Sequence, residues 1–72
     1  MSVSTQELQA LYALRAGSQT TDDLRELGIR QPATRIFYLR EAGYDIESRY
    51  TTRGIPARRI VEYFLVKDIG AH

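Results

Sequence analysis

Seventy-two residues, ten basic, nine acidic, with neither cysteine nor tryptophan, leave room for one small domain, 1–72, and for one core. A chain of this length buries only ~60–65% of its unfolded surface, which excludes a two-lobed enzyme, and the missing thiols exclude a disulfide frame and a thiolate metal site. The net charge of +1 hides a layout of −2 over residues 1–29, +4 over 30–59 and −1 over 60–72, an asymmetry suited to a polyanion on one face.

The chain opens on Ser4-Thr5-Gln6-Glu7, which reads as a capping box, followed by Leu8, Leu11, Tyr12 and Arg15 at helical spacing. Gly17 takes the left-handed position that closes a helix over 5–16. After the polar connector Ser18-Gln19-Thr20, which has room for a single extended bridge, Thr21 offers an N-cap for a helix over 22–27. Asp22 and Asp23 fall in its first turn, where the helix dipole favours negative charge, and Gly28 ends it.

Gln31-Pro32 starts the next helix, 32–42, with proline at N1 and Gly43 as the stop. Only Gly28, Ile29, Arg30 and Gln31 separate the two helices, a turn short enough to hold them at a steep angle as in a helix-turn-helix. Beyond Gly43 the period changes to two. Tyr44, Ile46, Ser48 and Tyr50 alternate with charged residues over a half-buried strand, 44–51. A glycine- and proline-containing loop, 52–57, leads to a second strand, 58–66, rich in β-branched and aromatic residues.

Thr34-Arg35-Ile36-Phe37-Tyr38-Leu39-Arg40-Glu41-Ala42-Gly43-Tyr44-Asp45-Ile46 is similar to a run in short winged-helix proteins often encoded by phages and prophages. With the element order, the chain from Leu8 to Val66 resembles the winged helix-turn-helix family. The resemblance implies an α+β fold, a three-helix bundle followed by a two-stranded β-hairpin whose loop is the wing. It also implies double-stranded DNA as the partner and a role as a small transcriptional regulator or recombination-directionality factor. The runner-up is a winged helix that meets an acidic protein, since one fold serves many tasks.

On a helical wheel Pro32, Leu39 and Gly43 lie within about 60° of Ile36 and face the bundle. Arg30, Gln31, Thr34, Arg35 and Tyr38 then form the outer face and its shoulder, and all can reach phosphates or base edges. Arg35 has the alternative of pairing with Glu26 or Asp23, Arg40 is expected to pair structurally, and Phe37 to be buried. In the wing, Arg53, Arg58 and Arg59 flank Gly54 and Pro56 and suit the backbone or minor groove, with the acidic second helix far from the contact face. The last strand carries apolar residues on both faces. Ile60, Phe64 and Val66, with Ile69, are expected to make a homodimer contact.

No Ser/His/Asp set, phosphate-cradling glycine loop or metal-ligand spacing occurs, and the one histidine is His72. The expectation is therefore no catalytic site, no metal, no cofactor and no small-molecule substrate. The N-terminus lacks a basic and apolar leader, and the longest apolar run is strand-sized, so neither secretion nor membrane insertion is expected and the location is expected to be cytoplasmic, with the nucleoid.

Overall fold

The computed structural model describes residues 5–69. Its elements, in chain order, are α1 (Thr5–Ala16), β1 (Gln19–Thr20), α2 (Thr21–Glu26), α3 (Pro32–Glu41), β2 (Asp45–Arg53) and β3 (Arg58–Lys67). The sheet is three-stranded and antiparallel, in the order β1-β3-β2. This corrects the expected two-stranded layout. Gln19 and Thr20 pair with Tyr63 and Glu62, because the short connector between α1 and α2 lies extended along the free edge of β3.

In α1 the buried residues are Glu7, Ala10, Leu11 and Leu14, an i, i+3, i+4, i+7 stripe that begins with a carboxylate. Tyr12, which the sequence sets at helical spacing with Leu8 and Leu11, is exposed. Ser4 of the expected capping box lies outside the described residues. Gly17 does not take the left-handed conformation, and its N–H extends the helical pattern to the Ala13 carbonyl.

The cap of α2 is Thr20 rather than Thr21. Its hydroxyl accepts from the Asp23 N–H, and the Asp23 carboxylate accepts from the Thr20 N–H, each at 3.0 Å. Thr20 is held extended by its pairing to Glu62, which is the backbone shape an N-cap requires. Those hydrogen bonds, led by the one from the Thr20 backbone, hold the Asp23 carboxyl below its ordinary 3.8, with Arg53 adding to the effect. A lowered carboxyl contributes stability that is present above its unfolded value and lost as pH falls through the folded one. Thr20→Ala is expected to cost about 1–2 kcal/mol. It should leave most of the loss of stability below pH 3.8 in place, because alanine keeps the backbone N–H that leads the effect, as followed by urea denaturation across pH 2.5–7.

Both α2 and α3 end on Schellman turns. Gly28 (φ 87°) and Gly43 (φ 110°) occupy the left-handed positions, and the next N–H groups, of Ile29 and Tyr44, reach back to the Leu24 and Leu39 carbonyls. The first of these turns delivers Ile29 into the core beside Leu24. The remaining core is Ala10, Leu11, Leu14, Ile36, Leu39, Ile46 and Tyr63, with Ala13, Tyr44, Val61 and Leu65 packed at its margin.

The β2–β3 pairing runs from Asp45↔Lys67 to Arg53↔Arg58, so the wing turn is only Gly54–Ala57. Thr51, Thr52 and Arg53 are paired to Ile60, Arg59 and Arg58, where the sequence predicts a loop from 52. β-Branched threonines favour that pairing. The expected half-buried alternation in β2 holds only at its start: Ile46 is buried, whereas Ser48 and Tyr50 are exposed. The molecule is elongated, with extents of 41 × 22 × 19 Å.

Candidate nucleic-acid interface

Helix α3 buries Pro32, Ile36 and Leu39 against the bundle and turns its other sides outward. Arg30 and Gln31, ahead of its first turn, are exposed, Thr34 is half-buried, and Tyr38 is exposed further along. With Arg25, Gly28 and Ile29, these first two line a shallow cleft of about 530 Å³. A phosphate or a base edge approaching there meets a guanidinium, an amide and the N-terminal end of a helix.

Among the described residues Gln31 is the one non-glycine with positive φ, at 50°. It occupies the N-cap of α3 without making a side-chain cap, and its carbonyl accepts from both Thr34 and Arg35. The left-handed region costs an L-residue roughly 1–2 kcal/mol, and such strain clusters at functional sites. Gln31→Gly is expected to raise stability by about 0.5–1 kcal/mol in urea denaturation. The same variant should lose about fivefold or more in DNA affinity, because a side chain able to pair with adenine is gone.

The structure turns Arg35 inward. Its Nη1 donates to Glu7 Oε2 at 2.9 Å, with side-chain exposures of 21% and 9%, and its guanidinium lies 5.6 Å from the Tyr38 ring centre. The partner is on α1, neither Glu26 nor Asp23. Phe37, expected in the core, is 55% exposed and meets Tyr38 edge to face at 5.5 Å. Ile36 and Leu39 already fill the inner side of α3, so Phe37 is left on its flank. Arg40 donates from Nε and Nη2 to the Ile46 carbonyl, at 3.0 and 2.7 Å, and fastens the end of α3 to β2.

Gln6 is a positioning residue that sequence reading missed. Its Nε2 donates to the Gly28 carbonyl at 3.3 Å and its Oε1 accepts from the Arg30 N–H at 3.1 Å. One side chain of α1 thereby fastens both ends of the turn between α2 and α3. No local pattern announces this, because the partners lie 22 and 24 residues away.

The wing does not stand apart from α2, as the sequence reading expected. Arg53 lies 3.7 Å from Asp23, and Arg58 is hydrogen-bonded to Asp22. The cause is topological: α2 begins directly after β1, and Thr21 donates to the Val61 carbonyl of β3, so its acidic first turn sits against the hairpin. Arg59 instead stacks on Tyr50, 4.4 Å from the ring centre.

The four residues expected to make a homodimer contact differ in exposure. Ile60 is buried, Phe64 is half-buried beneath Arg49 at 5.2 Å, and Val66 and Ile69 are exposed. Ile69 lies over the end of α3, its Cδ1 within 3.0 Å of where a Cβ on Gly43 would stand. Among the described residues no group of side chains could hold a metal ion, and no helix is long and apolar enough to cross a membrane.

In comparison with known families, residues 3–68 match the one described as the winged helix-turn-helix domain. No curated protein and no solved structure matches the chain.

Proposed function

The chain belongs to the winged helix-turn-helix family, and from that premise we propose that it binds double-stranded DNA with the head of α3 in the major groove and the wing on the backbone and minor groove. The observation that carries this reading is Gln31, held left-handed and exposed beside Arg30 where α3 begins. Recognition helices present that end to base edges. Arg30, Gln31 and Thr34 read the bases, Tyr38 lies against the sugar-phosphate chain, and Arg53, Arg58 and Arg59 hold phosphates. Arg35 seats α3 on α1 and acts through its neighbours. The Thr34–Ile46 run supports a role as a small transcriptional regulator or recombination-directionality factor of phage type.

Selection from a pool of random duplexes tests the reading. An enriched motif is expected, with log K falling against log salt by about 0.9 for each phosphate neutralised. An inverted repeat with half-sites about one helical turn apart would report two copies of the chain per site. A pool without enrichment, combined with salt-insensitive binding, would overturn the proposal in favour of an acidic protein partner.

A further inference from the structure

The tip of the wing combines features that local folding does not favour. Ile55 is fully exposed, whereas the other large apolar side chains at the surface are between 48% and 69% exposed. It is followed by Pro56 in the four-residue turn Gly54–Ala57, at the end of the β2–β3 ribbon. Directly behind it, the closing pair of the hairpin is Arg53 opposite Arg58. Like charges facing each other across a strand pair destabilise it, and here each is offset by a carboxylate of α2. Arg59 is set one pair further back, opposite Thr52. A bare isoleucine and proline on a narrow ribbon, backed by cations, have the shape and chemistry of a side-chain wedge between base pairs. Apolar residues of this kind enter the minor groove, partly unstack a base step and kink the duplex by about 20–90°.

We infer that the wing tip is such a wedge: Ile55, with Pro56 behind it, opens one base step from the minor groove, while Arg53, Arg58 and Arg59 close on the flanking phosphates, so that the protein bends the DNA it binds. The inference rests on the DNA-binding reading and adds an architectural activity to it. Unstacking is offset by burial of the Ile55 side chain and by the phosphates that a bent duplex brings to the wing. Pyrimidine–purine steps, the easiest to open, are the expected place of entry.

The test uses the full chain and a duplex of about 40 base pairs from the selection, or of mixed sequence if none is enriched. The duplex carries a fluorophore at each end and 2-aminopurine at successive steps. The wild-type protein is expected to shorten the end-to-end distance and to raise 2-aminopurine emission at one step. Ile55→Ser should lose both signals and about tenfold in affinity, while protection of the major groove is retained. Ile55→Leu should keep both signals. A bound but straight duplex, or an Ile55→Ser variant that bends DNA as the wild type does, would overturn the wedge and leave the DNA-binding reading standing. If the wild-type chain binds no duplex at all, both readings fall together.

Discussion

Replacing Glu7 with alanine is expected to lower stability by about 2–3 kcal/mol and the thermal midpoint by roughly 10–20 °C. Glu7 lies in the buried stripe of α1 and faces the Arg35 guanidinium of α3 at 2.9 Å. Removing one partner from such a pair leaves the other charge poorly solvated, which costs more than the pair itself contributes. For a domain of this size, with a total stability of about 4–11 kcal/mol, that is a large share. The double variant Glu7→Leu/Arg35→Met removes both charges and should recover most of the loss. Urea midpoints of the two single variants and the double variant give a coupling energy, expected near 2 kcal/mol. Purely additive costs would show that the contact between α1 and α3 is apolar in origin.

The second large effect concerns the wing. Exchanging both Arg53 and Arg58 for alanine should weaken binding to every duplex by about 10–30-fold and reduce the salt slope by about 1–2, with no change of sequence preference. Their exposed pairs with Asp23 and Asp22 hold them by no more than about 1 kcal/mol each, so a phosphate can displace either carboxylate. Asp22→Asn is the complementary variant, because Asp23 and not Asp22 closes the cap of α2. Without the Asp22 charge, Arg58 has no anion to leave, and affinity should rise about threefold. Fluorescence anisotropy between 50 and 300 mM salt reads all three quantities. A fall in affinity for Asp22→Asn would mean that this carboxylate orients Arg58 for binding rather than competing for it.

Helix positions were legible in the sequence because their signals are local. Pro32 at N1 and the glycines at 28 and 43 act within a turn of where they stand, and the wheel of α3 separates Ile36 and Leu39 from Arg30 and Gln31 by periodicity alone. What escaped depends on partners distant in sequence. Glu7 reads as a cap residue, and only the fold brings α3 close enough for Arg35 to claim it. Gln19 and Thr20 lie in the connector where the sequence leaves room for a single extended bridge, and the passing edge of β3 makes a strand of it. Asp22 and Asp23 do suit the start of a helix, as their position implies. The same closeness to β3 also makes them the counter-charges of the wing. Phe37 and Tyr50 look like core residues by type but lie where the bundle has ended or its inner face is full.

Gln6 and Asp68 together decide how the domain can be joined to anything else. Gln6 ties the first turn of α1 to the turn ahead of α3, and Asp68, just after β3, accepts from Arg15 in the last turn of α1. Gln6 and Arg15, nine positions apart along α1, make a spacer of roughly 14 Å. Bulk added at the first turn of α1 therefore lies next to Gly28 and Arg30, on the side proposed to meet DNA, whereas bulk added at Ile69 lies toward the opposite end of the helix. Affinity handles, fluorescent reporters or a second binding module belong on the latter side.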